Sequence, residues 1–153
     1  MNHEHLPLTG HPGLLRGSRE LILGDARDLE SVVSMQTVSG TGANHMAALY
    51  LAMTLKPQTV WISDPSWINH TEIWKLAGPD VEQRFYPYYD MIHHKVDFEA
   101  MTETLRRDAR HGDVIVLHAC AHNPTGADLT EQQWKVVAGI CKEKRLFAVF
   151  DMA

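Results

Sequence analysis

The sequence predicts an α/β fold, with a mostly parallel sheet carrying helices on both faces. Three observations lead there. From about residue 33 onward, strand-like and helix-like patterns alternate, the signature of right-handed βαβ units. Val114-Ile115-Val116-Leu117 is an unbroken β-branched and aliphatic run, as a strand covered on both faces reads. Polar segments rich in turn residues follow each strand candidate directly. At 153 residues, 44% apolar and 22% charged, the chain has the composition of one globular domain or part of a larger one, long enough to bury a sizeable core.

The elements follow in order. The first 32 residues form an N-terminal helical segment, its one helix opened by Pro12 and closed by Gly24, with Leu14, Leu15, Leu21, Ile22 and Leu23 as apolar material. Residues 33–153 form the α/β part. Met35-Gln36-Thr37-Val38 reads as a short strand, followed by a glycine-broken turn and a helix from Ala43 to Leu55. That helix has Ala43, Met46, Ala47 and Tyr50 on one face and Leu49, Leu51 and Met53 on the others, which predicts burial nearly all round. Thr59-Val60-Trp61-Ile62 is a strand, residues 70–77 are a helix ending at Gly78, and Phe85 to Tyr89 is an irregular aromatic stretch. A helix near Phe98 to Arg107 places Phe98, Met101 and Leu105 at i, i+3, i+7 behind an Asp97 N-cap. After the 114–117 strand, Thr130-Glu131-Gln132-Gln133 has capping-box form, and Trp134, Val137, Ala138 and Cys141 make one helical face. Leu146 to Phe150 is a last strand.

Several function classes are disfavoured. The apolar stretch Met46 to Met53 is too short to cross a bilayer, and the N-terminus lacks the basic start and apolar core of a signal peptide, so an intracellular protein with no membrane partner is expected. Fourteen Lys and Arg against nineteen Asp and Glu give a net charge of −5, with no basic footprint for nucleic acid. Cys120 and Cys141 form no CxxC and no disulfide framework, in keeping with a reducing compartment.

Four strand ends carry the chemistry. In a parallel sheet, Ser39-Gly40-Thr41-Gly42, Ser63-Asp64-Pro65-Ser66-Trp67, the stretch from His118 to Gly126, and Asp151 would gather along the carboxyl edge, where open α/β sheets bind ligands. Two glycines, two hydroxyls and a helix N-terminus make Ser39 to Ala43 a phosphate cup, although the residues fit equally a plain tight turn. His45 stands where a dinucleotide fingerprint has its third glycine, and the Lys-Ser/Thr pair of a P-loop is absent. His118, Cys120 and His122 share one face of an extended segment but lack a fourth ligand, so no metal site is expected; Asn123 to Gly126 can be a turn whose Asn serves only the backbone. Asp151 needs a cation or donors if buried and no explanation if the chain frays there. Trp67 can cover a planar ligand or fill a core. His70 reads as a structural hydrogen-bonder, and His93-His94, with no acidic partner nearby, as solvated loop.

Taken together, Ser39-Gly40-Thr41-Gly42-Ala43, Pro65-Ser66-Trp67-Ile68-Asn69-His70, His118-Ala-Cys-Ala-His-Asn-Pro-Thr-Gly126 and Phe150-Asp151-Met152-Ala153 resemble, in order and spacing, the class I aminotransferases. Asn2-His3-Glu4-His5-Leu6-Pro7 and the His-Ala-Cys-Ala-His lead-in resemble the aspartate branch, with His5 where a tyrosine is usual. The resemblance implies part of the large domain of the fold type I enzymes, which are homodimers holding pyridoxal 5′-phosphate and exchanging an amino group between an amino acid and a 2-oxo acid, here L-aspartate and 2-oxoglutarate. It implies that Ser39, Gly40 and Thr41 bind phosphate, Trp67 stacks on the pyridine ring, Asn123 donates to the phenolic oxygen, and Asp151 pairs with the pyridinium nitrogen. His70 and His118 would orient Asp151.

The departures are as informative. The family's cofactor-bonding lysine lies downstream of the Asp-Met-Ala segment, and the six lysines here, Lys56, Lys75, Lys95, Lys135, Lys142 and Lys144, stand on helices or loops without the family's Ser-x-x-Lys context. The tyrosine expected after Ala153, the substrate-gripping arginines and the N-terminal intersubunit segment are also missing. The chain is therefore expected to be incomplete at both ends, to hold no catalytic residue, to be inactive alone and to expose apolar surface. Two further functions stay open: a noncatalytic truncated paralogue that binds phosphate or cofactor or pairs with a full-length subunit, and an enzyme acting on aromatic amino acids. Cytoplasm is the expected compartment, with the mitochondrion left open.

Overall fold

A computed structural model describes residues 5–24 and 31–153. Asn2, His3 and Glu4 lie outside the described residues. The chain divides into two compact units, residues 1–43 and 44–153.

In the first unit, α1 spans Pro12–Leu23, opened by Pro12 and closed by Gly24 at φ +55° as the sequence signals; the structure adds an N-cap, His11 Nδ1 accepting from the N–H groups of Gly13 and Leu14. Arg19 Nη1 donates to the Val32 carbonyl at 3.3 Å. The strand expected at 35–38 does not form. Gln36 is engaged instead by residues 9–11: its N–H donates to the Thr9 carbonyl and its side-chain oxygen accepts from His11 N–H, both at 2.8 Å. No strand therefore leads into Ser39. Helix α2 spans Ser39–Thr54 and begins at Ser39 itself, with φ +62°, so residues 39–42 are its first turn rather than a turn before it.

The second unit is built on a four-stranded sheet, β1 (Thr59–Asp64), β2 (Glu82–Pro87), β5 (Val114–Cys120) and β6 (Phe147–Met152), in the order β2-β1-β5-β6 and parallel throughout. Between them run α3 (Ile68–Ala77), a small antiparallel hairpin of β3 (Tyr89–Asp90) and β4 (Lys95–Val96), α4 (Phe98–Asp108) and α5 (Glu131–Lys144). The aromatic stretch is thus ordered: Phe85 and Tyr86 lie in β2, in register with Ile62 and Ser63, and Tyr86 OH donates to the Val116 carbonyl at 2.8 Å.

Alternation along the two central strands sorts the core into two layers, as the period of a strand requires. Trp61, Ile115 and Leu117 pack with Met101 and Leu105 of α4 and Val137 and Ile140 of α5; Val60, Ile62, Val114 and Val116 pack with Ala48 and Leu51 of α2 and Ile73 and Trp74 of α3. This is the predicted α/β arrangement. Both expected caps form, Asp97 accepting from Ala100 N–H and Thr130 and Gln133 closing the capping box.

One burial expectation fails. Helix α2 is not buried all round: Ala48 and Leu51 face the sheet, while Met46, Leu49, Tyr50 and Met53 are exposed, because the sheet meets only one side of the helix. On α5 the buried residues are Val137 and Ile140, with Trp134 and Cys141 partly covered and Ala138 in solvent. Among the described residues no helix is long and apolar enough to cross a membrane.

Candidate functional site

The sheet order puts the topological switch between β1 and β5, since the chain moves outward from β1 to β2 and then returns to the far side of β1. The crevice beyond the carboxyl ends of those strands is where open α/β sheets bind ligands. The β1 end delivers Ser66 and Trp67, β5 delivers His118 and the loop carrying Asn123, and the first turn of α3 delivers His70. Asp151 arrives from β6, where register pairing sets it beside His118.

These side chains form one hydrogen-bonded row. Asp151 Oδ2 lies 2.8 Å from His70 Nε2, His70 Nδ1 lies 3.0 Å from Ser66 Oγ, and Ser66 Oγ lies 3.2 Å from His118 Nε2. The far end of the row fixes its direction. Asn123 N–H donates to His118 Nδ1 at 3.2 Å, so that nitrogen is an acceptor and Nε2 carries the ring proton. His118 Nε2–H then donates to Ser66 Oγ, Ser66 O–H donates to His70 Nδ1, and His70 Nε2–H donates to Asp151. Every donor has one acceptor, and the row points at the carboxylate.

The electrostatics agree with that assignment. The His70 N–H holds the Asp151 carboxyl below the usual carboxylate range, and the Asn44 side chain adds to this against partial burial. Burial, helped by the neighbouring His70, draws His118 down to about 4, so it is neutral near pH 7. His70 is buried with 1% of its side chain exposed, whereas 21% of the Asp151 side chain remains open. Trp67 stands edge-on to His70 with ring centroids 5.3 Å apart. The Asn123 side chain makes no hydrogen bond among the described residues and is exposed. An anionic carboxylate with an open side, a flat amphipathic ring and a free amide form a donor set that fits a planar aromatic group bearing a protonated ring nitrogen.

The eight expected residues fall into a group of five and a group of three. Trp67, His70, His118, Asn123 and Asp151 stand at the carboxyl edge of the second unit, as expected. Ser39, Gly40 and Thr41 belong to the first unit, where all three are exposed in the opening turn of α2. Cys120 is exposed, with Sγ 3.9 Å from the Ala153 carbonyl, while His118 and His122 face each other with ring centroids 4.2 Å apart. His93 does have an acidic partner, contrary to expectation: Asp90 Oδ2 is 2.6 Å from its Nδ1. Lys95 lies in β4 rather than on a helix or loop. Sequence reasoning passed over Ser66 and Asn44. Ser66 left a trace, a hydroxyl four residues before His70 at the start of a helix; Asn44 left none.

The model of the class I and II aminotransferases matches residues 1–153. The chain belongs to this family. It is one of pyridoxal phosphate-dependent transferases. The chain is 47% identical over 99% of its length to an L-tyrosine:2-oxoglutarate aminotransferase of Aspergillus ustus, and 41% identical over its whole length to a cytoplasmic aspartate aminotransferase of Caenorhabditis elegans. It covers 30% and 38% of those two proteins, about a third of the length of the curated relatives. Among solved structures, an aromatic-amino-acid aminotransferase of Burkholderia pseudomallei, covalently bound to pyridoxal phosphate, superposes with a TM-score of 0.91 at 36% identity, over 100% of this chain and 38% of that one.

Proposed function

We propose that the chain is the ring-holding part of an aspartate aminotransferase, which moves an amino group between L-aspartate and 2-oxoglutarate and works as a homodimer in the cytoplasm. The observation that carries the reading is the Asp151 carboxylate, kept anionic by His70 and open on one side at the switch point of the sheet. Bound there, pyridoxal 5′-phosphate supplies an electron-accepting ring. Asp151 holds a proton on the ring nitrogen by offering it a fixed negative charge. His70, Ser66 and His118 orient that carboxylate and keep its charge from being neutralised. Trp67 covers the ring face and excludes water, and Asn123 donates its amide N–H to the phenolic oxygen. Ser39, Gly40 and Thr41 bind the phosphate through the N–H groups and dipole of α2. In this reading residues 33–153 are the cofactor-binding part and residues 1–32 a helical segment before it.

By itself the chain holds the ring without transferring the amino group. Five of its six lysines are exposed and Lys144 is half-buried, and none belongs to the row that ends on Asp151. An aromatic amino acid is the second reading for the substrate, favoured by the 47% identity to the L-tyrosine:2-oxoglutarate aminotransferase.

The test is an absorbance titration of the purified chain with pyridoxal 5′-phosphate, followed by borohydride reduction and peptide mapping. Saturable binding that is lost in Trp67→Ala and in Asp151→Ala, with no single lysine labelled, is expected. Absence of saturable binding, or equal labelling of several lysines in all three proteins, would contradict the reading.

A further inference from the structure

The loop that carries Asn123 leaves β5 through Ala121, whose φ of +52° lies in the left-handed region that favours glycine. A non-glycine residue stays there only if its surroundings hold it. Three consecutive N–H groups supply the hold. Ala121 N–H donates to Asp128 Oδ2 and His122 N–H to Asp128 Oδ1, each at 2.9 Å, and Asn123 N–H donates to His118 Nδ1. One carboxylate thus binds two successive amides from six and seven residues further along the chain, with one oxygen for each.

The other side of the loop is fixed by different groups. Gly126 N–H donates to the His122 carbonyl at 2.6 Å, and Thr125 Oγ1 is 2.9 Å from His122 Nδ1. His122 is buried, lies 3.1 Å through Nε2 from Ser63 Oγ, and is stacked on Tyr88 at 3.7 Å. Those contacts anchor residues 122–127 to the core. Asp128 is different: its side chain is exposed, belongs to neither core layer, and among the described residues bonds only to the two amides that precede Asn123.

We infer that Asp128 is a positioning residue of this site. Its carboxylate sets the path of residues 121–123, so that the Asn123 side chain stands at the sheet edge and the Asn123 N–H reaches His118 Nδ1. That contact is what selects the Nε2–H form of His118 and hence the direction of the row ending on Asp151. The inference rests on the reading of this edge as the pyridoxal phosphate site, but its main readout does not.

The experiment is heteronuclear NMR of the imidazole nitrogens at pH 7 in the 153-residue chain, comparing wild type with Asp128→Ala, Asp128→Asn and, as a control for general destabilisation, Thr130→Ala, which removes the N-cap of α5. Wild-type His118 should show an unprotonated Nδ1 and a protonated Nε2. In Asp128→Ala both signals should move toward the average of the two tautomers; Asp128→Asn, which keeps one acceptor oxygen, should fall between; Thr130→Ala should leave them in place. Affinity for pyridoxal 5′-phosphate should fall about tenfold in Asp128→Ala, the effect of one charge-assisted hydrogen bond. His118 signals unchanged in both Asp128 variants, or moved equally by Thr130→Ala, would overturn the inference. A wild-type chain that binds no pyridoxal phosphate would overturn the ligand reading alone, and the His118 signals would still decide the role of Asp128.

Discussion

Two aspartate–histidine pairs in this chain have nearly the same contact distance and opposite circumstances. Asp151 and His70 meet at 2.8 Å at the carboxyl edge of the sheet, and Asp90 and His93 meet at 2.6 Å on the tip of the β3–β4 hairpin. The hairpin pair is local, three residues apart, and two-thirds of the His93 side chain is in solvent. It ends there: Asp90 Oδ1 caps the N–H groups of Ile92 and His93, and nothing else is joined to it among the bonds described. The edge pair spans 81 residues of sequence, buries its histidine and continues through Ser66 to His118. A short carboxylate–imidazole distance therefore does not make a site. What distinguishes Asp151 is burial of the partner, continuation of the row, and one carboxylate side left open at a switch point.

The sharpest break of this comparison is substitution of the two carboxylates. Asp151→Ala is expected to abolish saturable binding of pyridoxal 5′-phosphate in an absorbance titration, and Asp90→Ala to leave it within about twofold, since a surface hairpin change makes no contact with the edge. Next in size, His70→Ala should lower unfolding stability by about 2–4 kcal/mol in a urea titration, because it opens a cavity and strips Asp151 of its donor. His93→Ala should leave the urea midpoint where it is. Ser66→Ala, which interrupts the row without removing a ring, should cost about 1 kcal/mol in the same assay, with Ser66→Thr restoring it.

Acid acts in two pH windows, the upper one belonging to the edge histidines and the lower one shared by Asp90 and Asp151, both held below the ordinary carboxylate range. His118 and His122 are both drawn down to about 4, chiefly by burial, from an ordinary value of 6.5. The unfolded chain takes up protons there that the folded chain refuses, so stability should fall as pH drops from about 6.5 to about 4. Asp90 works the same way lower down. Backbone and side-chain hydrogen bonds from His93 hold it at about 2 against an ordinary 3.8, so its contribution is present above about 4 and lost as pH falls toward 2. Denaturation followed over both windows should show the upper loss diminished in His118→Gln and the lower, smaller loss diminished in Asp90→Asn.

Much of the second unit was legible because its signals are local. Asp97 and the Thr130–Gln133 box mark helix starts by one-turn patterns, and the unbroken 114–117 run marks a strand buried on both faces. The start of α2 is not legible, because Met35 to Val38 has strand composition, while the Gln36 N–H is taken by the Thr9 carbonyl and the Gln36 side chain by the His11 N–H. Strand β2 is not legible in the sequence, because it is an edge strand of mixed burial, set by pairing with β1 rather than by its own pattern. The site divides along the same line. Trp67, Asn123 and Asp151 could be picked out by type and position at strand ends. The row as a whole could not: only its Ser66–His70 link is local, four residues apart, while the links to His118 and Asp151 bridge 52 and 81 residues of sequence.

Recognition of a protonated ring nitrogen by Asp151 is tested by comparing two ligands on two proteins. Pyridoxal 5′-phosphate and its carbocyclic analogue, in which CH replaces the ring nitrogen, are titrated against wild type and Asp151→Ala. Wild type is expected to prefer the nitrogen-bearing ring by about tenfold or more and Asp151→Ala to lose the preference, a coupling between that atom and this carboxylate. Equal affinities of wild type for the two ligands, or a preference that survives in Asp151→Ala, would contradict it.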